Sequence, residues 1–378
     1  MKTVVIAGFA RSPFHFAKKG ALAKVRPDEL AAQVVAALIE RSKIDPKEIE
    51  DVIMGCAIPE GEQGLNIGRM VGFLAHLPLN VAGTTVNRFC GSSMQAIHMA
   101  AGAIQLDAGE AFICAGIESM TRVPMTGFNP SPHPGLAKEY PQAYISMGQT
   151  AENVARKYQV TRSDQQELAV KSHKKAAAAQ AAGKFKDEIV PIKAKHGLVS
   201  EDGCIRPDTT QEGLSALAPA FDPQGSVTAG TSSPLTDGAS AVLVCTADYA
   251  KRNNLTVLAT LRSVAVAGCE PEIMGIGPVA ATQKALKRAG LAIKDIDIVE
   301  INEAFASQAI ACMRELGIDE QKANLDGGGI ALGHPLGATG ARITGKAASL
   351  LKREGKRYAL ATQCIGGGQG IATILERA

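Results

Sequence analysis

Strand-like and helix-like patterns alternate along this chain, and the series runs twice. Residues 3–10 are rich in β-formers, and residues 27–41 follow with Leu30, Val34, Leu38 and Ile39 at helical spacing. Residues 52–57 read as a strand, 66–76 as a helix, 82–87 as a strand, 92–106 as a helix and 111–116 as a buried strand. The series restarts with a strand over 257–268 and helices over 279–289, 304–316 and 338–352, with strands over 297–301, 358–362 and 371–375. Such alternation predicts parallel pairing with helices on both faces. Local details match between the copies. Ile44-Asp45-Pro46-Lys47-Glu48-Ile49-Glu50-Asp51-Val52 and Leu291-Ala292-Ile293-Lys294-Asp295-Ile296-Asp297-Ile298-Val299 both carry a helix through an acidic turn into a strand. The pattern reads as an internal duplication. Residues 119–238 fit neither copy. Asn129-Pro130-Ser131-Pro132-His133-Pro134-Gly135 reads as loop, and 152–158 and 163–180 as helices. An insertion there is well placed to cover a site.

At 46% hydrophobic, the 378 residues can bury a large core, and their number suggests two or three domains. Forty basic residues against 37 acidic ones, no tryptophan and few aromatics argue against nucleic-acid binding. No apolar run reaches the ~20 residues of a membrane span, and no signal peptide is visible. The eight cysteines include no Cys-x-x-Cys pair and suit a reducing compartment, so a cytoplasmic location is expected. Neither zinc-ligand spacing nor a nucleotide-binding glycine motif is present, so no metal and no permanently bound cofactor is expected.

Three glycine-rich segments carry the reactive groups. Cys90, in Val86-Asn87-Arg88-Phe89-Cys90-Gly91-Ser92-Ser93-Met94, precedes a helix N-terminus, whose free N–H groups favour thiolate. That suits a nucleophile, against the alternative of a small buried side chain. His334, in Gly327-Gly328-Gly329-Ile330-Ala331-Leu332-Gly333-His334-Pro335-Leu336-Gly337, is expected at the matching strand-to-helix turn of the second copy. An imidazole there can take a thiol proton, or else merely hold the turn. Cys364, in Cys364-Ile365-Gly366-Gly367-Gly368-Gln369-Gly370, ends a strand beside backbone N–H groups able to hold an oxyanion. Asn302, in Asn302-Glu303-Ala304-Phe305, can donate to a carbonyl oxygen or cap a helix. The other six histidines read as surface or packing residues.

Together these segments resemble the signatures of the thiolases, the acyl-CoA:acetyl-CoA acyltransferases, in the family's order and over essentially the whole chain. The resemblance implies an α/β fold of two duplicated mixed-sheet βαβ halves, layered α/β/α/β/α, with an inserted loop domain. Residues 1–118 plus 239–250 would form the first half, 119–238 the insertion and 251–378 the second half. It implies that Cys90 attacks a 3-oxoacyl-CoA with His334 as base, that Cys364 protonates the departing acetyl-CoA carbanion, and that CoA then takes the acyl group from Cys90. Asn302, through a water, and His334 would line one oxyanion hole, and backbone N–H groups near Cys90 and in the Gly366–Gly368 turn a second. Arg206, Phe221, Ser233 and Met147 match family positions along the CoA and acyl arms. CoA would be a co-substrate. Relatives form homodimers or homotetramers, in places with a hydratase/dehydrogenase subunit of β-oxidation.

One position departs from part of the family. Biosynthetic, acetoacetyl-specific thiolases have histidine where this chain has Ser146, before Met147-Gly148. That makes the chain resemble the degradative 3-ketoacyl-CoA thiolases, with acetyl-CoA C-acetyltransferase as the alternative. Decarboxylating condensing enzymes, a non-catalytic lipid-binding subunit and a thiol–disulfide redox protein are the competing readings.

Overall fold

The computed structural model describes residues 1–378. The first series supplies β1 (Val4–Arg11), the two-residue β2 (His15–Phe16), β3 (Asp51–Cys56), β4 (Ala82–Val86) and β5 (Ala111–Ser119). A small hairpin, β6 (Ile192–Ala194) and β7 (Gly197–Val199), lies apart from the main sheet. The series resumes with β8 (Thr236–Thr246), β9 (Ala259–Gly268), β10 (Ile298–Ile301), β11 (Tyr358–Ile365) and β12 (Gln369–Glu376).

The strands form one sheet in the order β10-β11-β12-β9-β1-β8-β5-β3-β4, with β2 on β8. Outward from the β1–β9 seam, the two sides repeat each other. β1 and β9 pair antiparallel to β8 and β12, which pair antiparallel to β5 and β11. Beyond them β3 and β10 pair parallel. The first side ends on β4, parallel to β3; its counterpart shrinks to a single parallel bridge, Val299 to Ala323. The sheet is therefore mixed, and the expectation of parallel pairing holds only for its outer strands. For β11 and β12 the physical reason is connection length. A glycine turn at residues 366–368 joins β11 to β12 as a hairpin, which forces antiparallel pairing.

Three apolar clusters set the layers. One packs the first side of the sheet against the helix Pro27–Ser42, whose Leu30, Val34 and Leu38 are buried. A second packs the second side against the helices Gly277–Ala289 and Ala306–Leu316. The third lies between the sides and holds the helices Ser92–Gln105 and Leu336–Arg353. The helix Leu336–Arg353 is buried almost all round, which its many Gly and Ala positions permit. A Cβ at Gly340 would sit 2.3 Å from the Met94 nitrogen, so the two central helices touch backbone to backbone there.

Between β5 and β8 the chain leaves the sheet. The helix Met147–Lys157 starts earlier than its sequence suggests, capped by Ser146, whose Oγ accepts the Gln149 N–H at 3.4 Å. The expected loop over 129–135 ends early, because Pro134 opens the short helix Pro134–Glu139, capped by the His133 ring. The helix Arg162–Ala181 begins with a capping box between Thr161 and Asp164. Buried ion pairs tie this segment to both sides of the sheet. Arg11 of β1 meets Glu188 at 2.8 Å and Asp202 at 2.7 Å, and Lys346 meets Glu188 and Asp326 at 2.8 Å each. Breaking one such partner leaves a buried charge, so the network fixes the arrangement more surely than it adds stability.

Candidate active site

Cys90 follows β4 and sits two residues before the helix Ser92–Gln105. The turn is strained: Phe89 has φ of 42°, in the left-handed region that non-glycine residues avoid. Asn87 Oδ1 accepts the Phe89 N–H at 2.8 Å, and the Gln363 side-chain amide donates to the Cys90 carbonyl. Cys90 is half-buried, and burial pushes its thiol up to about 11, partly offset by the Gly366 N–H directed at the sulfur. The expectation that the helix N-terminus favours thiolate is therefore reversed: desolvation outweighs the N–H groups.

Contrary to expectation, His334 does not follow a strand. A one-turn helix, Gly329–Leu332, precedes it, because residues 327–329 turn the chain into helix instead of extending it. His334 then stands just ahead of the helix Leu336–Arg353. The hydroxyl of Thr339 donates to the Pro335 carbonyl at 3.0 Å, so its oxygen is left to accept from His334 Nδ1 at 2.6 Å. That fixes the proton on Nδ1 and leaves Nε2 as a bare acceptor. Nε2 is buried and has no hydrogen-bond partner. Burial, then the Arg342 charge, lowers this imidazole to about 3, so thiol and imidazole are both neutral at rest.

Cys364 is buried at the end of β11 and packs with Ala304, Phe305 and Met147. Burial raises its thiol well above the usual range, and the neighbouring Cys90 pushes in the same direction. The hairpin beyond it needs glycine: Gly367 and Gly368 have φ of 78° and 82°, and a Cβ at Gly368 would lie 2.3 Å from the Cys269 oxygen. A Cβ at Gly366 would lie 3.3 Å from Met147 Sδ. Asn302 leaves β10 fully buried, and neither its Oδ1 nor its Nδ2 has a partner. The Asn302 amide and His334 Nε2 are buried polar groups left without partners, and such groups mark where a polar ligand belongs.

Cross-links hold the segments together. Ala341 donates its N–H to Ser93 Oγ at 2.8 Å, which joins the helix after His334 to the helix after Cys90. Arg88 reaches Gln369 Oε1 at 2.7 Å, and Asn302 donates its N–H to the Thr362 carbonyl at 3.0 Å. Of the CoA-arm candidates, Phe221 stacks edge-on to Phe305 at 5.9 Å and lies over Gly148, while Ser233 donates its N–H to the Ala304 carbonyl at 2.9 Å. Arg206 stands apart. Its backbone N–H goes to His173 Nδ1 at 3.1 Å, and its guanidinium lies 3.3 Å from His173 Nε2. A crevice of about 810 Å³ beside Lys346 contains none of these residues, and Glu188 and Asp326 already pair with that lysine.

Sequence reasoning passes over Glu118. Its buried carboxylate at the end of β5 accepts N–H groups from Ala57 at 2.8 Å, Ile58 at 3.3 Å and Gly337 at 2.8 Å, and the Gln63 amide at 2.8 Å. It thus pins the start of the helix behind His334 to the first side of the sheet. The available signal was an acid inside the apolar run Ala111–Ser119. Thr339, five residues after His334, carried no signal of its own.

The duplicated α/β fold sets the Cys90 and Cys364 thiols close to each other and bonds the helix after Cys90 to the helix after His334. Residues 4–248 match the family described as "Thiolase, N-terminal domain" and residues 255–377 "Thiolase, C-terminal domain". The chain belongs to the thiolase family, and it is an acyltransferase. It is 49% identical to a 3-ketoacyl-CoA thiolase of Bacillus subtilis (strain 168), covering all of both chains. It is also 49% identical to one of Marinobacter nauticus, covering all of this chain and 98% of the other. Among solved structures it resembles human mitochondrial 3-ketoacyl-CoA thiolase in complex with CoA, with a TM-score of 0.92 and 38% identity, covering all of this chain and 98% of that one.

Proposed function

We propose that this chain cleaves 3-oxoacyl-CoA with free CoA, giving acetyl-CoA and a shortened acyl-CoA in fatty-acid β-oxidation. The buried, unpartnered Nε2 of His334, which precedes a helix bonded to the one that follows Cys90, carries the proposal. As substrate binds, Nε2 takes the Cys90 proton and the sulfur attacks the 3-keto carbon. The protonated imidazole then donates to the new oxyanion beside Asn302, whose unused Nδ2 supplies a second hydrogen. When the Cα–Cβ bond breaks, its electron pair stays on the α-carbon and takes the proton of Cys364, releasing acetyl-CoA. The Cys364 thiolate takes the proton of CoA, whose sulfur attacks acyl-Cys90, and the Gly366 N–H serves the oxygen of this thioester. Cys90 leaves as thiolate and regains its proton from the His334 imidazolium.

Residues 119–238 act as the cover that binds CoA. Arg206 serves its nucleotide end, Phe221 and Ser233 the pantetheine arm, and Met147 the acyl end. Ser146, already used as a helix cap, supports the degradative assignment over the acetoacetyl-specific one. The protein acts in the cytoplasm as a homodimer or homotetramer, beside a hydratase/dehydrogenase subunit. No helix is long and apolar enough to cross a membrane.

Thiolysis rates with 3-oxoacyl-CoAs of increasing length, starting from acetoacetyl-CoA, test the proposal. Turnover of long substrates, abolished along with acyl-enzyme formation in Cys90→Ala, is the expected result. Activity confined to acetoacetyl-CoA would favour the biosynthetic alternative. Full activity in Cys90→Ala would end the covalent mechanism.

A further inference from the structure

Halfway along the helix Arg162–Ala181 lies Ser172, 2% exposed and remote in sequence from every reactive residue. A mid-helix serine ordinarily turns its hydroxyl back to its own helix or out to water. This one donates to Glu303 Oε2 at 2.7 Å and accepts the Gly328 N–H at 3.1 Å. Glu303 is buried and follows Asn302 directly. Its carboxylate also accepts Asn324 Nδ2 at 2.7 Å and the Ile330 N–H at 3.2 Å. The Ser172 hydroxyl therefore bridges the strand end that carries Asn302 and the glycine segment that leads to His334. The clearance between those two segments is small: a Cβ at Gly329 would lie 2.7 Å from Asn302 Oδ1. A drift of a few tenths of an ångström in the glycine segment changes the space around the Asn302 amide. The next residue, His173, accepts the Arg206 backbone N–H at Nδ1 at 3.1 Å, so one helical turn touches both Glu303 and the Arg206 segment.

We propose that Ser172 is a positioning residue that sets the spacing between Asn302 and the segment leading to His334. It rests on the thiolysis proposed above, since the spacing matters only if an oxyanion forms there. A misplacement of about 1 Å can cost up to ~10²-fold in rate, and the expected loss here is about tenfold.

The test is steady-state thiolysis by the full-length protein, with Ser172→Ala and His173→Gln compared to wild type. Ser172→Ala should lower kcat about tenfold and leave KM for CoA and the rate of Cys90 alkylation by iodoacetamide within about twofold. His173→Gln should do the reverse, raising KM for CoA while kcat stays within about twofold. A Ser172→Ala enzyme with wild-type kcat overturns the proposal. So does a loss of kcat accompanied by an equal loss of Cys90 alkylation and a collapsed thermal melt, because that describes general unfolding of the site. A wild-type protein that cleaves no 3-oxoacyl-CoA removes the underlying reading as well, whereas an active wild type with an unaffected Ser172→Ala variant removes only the positioning role.

Discussion

Replacing Glu118 with alanine should both loosen the fold and displace His334. Four donors converge on that carboxylate: the buried Ala57 and Gly337 N–H groups, the buried Gln63 amide and the partly buried Ile58 N–H. A buried donor left without a partner costs ~1–3 kcal/mol, so the three buried ones cost about 3–9 kcal/mol. Removing the acid also ends the cost of burying it, the desolvation that raises its pKa. A net loss of about 3 kcal/mol follows, the same order as losing one partner from a buried charged contact. In a protein of this size that corresponds to a melting temperature lower by several degrees. The chain has no tryptophan, so far-UV circular dichroism is the suitable probe. Glu118→Gln keeps the shape and one acceptor oxygen, and it should lose less. Because Gly337 opens the helix behind His334, kcat should fall in both variants. Melting within 1 °C of wild type, with full activity, in Glu118→Ala would refute the reasoning.

The resting state makes a pH prediction. A Cys90 thiol raised to about 11 gains thiolate tenfold per pH unit, so alkylation by iodoacetamide should climb steadily from about pH 6 to 9. A plateau below pH 8 would mean that a thiolate–imidazolium pair already exists. Gly55→Ala puts a Cβ 2.3 Å from the Ser93 nitrogen, at the start of the helix that follows Cys90. The helix has to move off β3, at about 1–3 kcal/mol, and an unchanged urea midpoint would contradict that contact.

The architecture was legible where periodicity decides burial. The strand Ala111–Ser119 is buried along its whole length, and the apolar run 111–116 at its start reads as a buried strand; Thr236–Thr246 is buried as well, but its polar first half hides it. Pairing direction was not legible, because it depends on which strands become neighbours, and a three-glycine hairpin does not resemble a crossover. Cys90, His334 and Cys364 stand out by residue type and glycine context, and Asn302 by its place at a strand end. Their electrostatics do not, since a dipole argument from neighbouring residues ignores how much water the completed fold removes around Cys90. The supporting residues were invisible for a related reason. Ser172, Thr339 and Gln363 are ordinary polar residues whose partners lie on other segments, so their meaning exists only once the chain has folded.

The sheet mirrors itself about the β1–β9 seam, yet the reactive groups ignore that symmetry. One sulfur comes from the first repeat; the other sulfur, the imidazole and the amide come from the second. A solitary repeat would own either an acceptor for the acyl group or the apparatus for moving protons, never both. Separating the gene at the seam should therefore give two inert polypeptides, and any recovered turnover would report their reassembly.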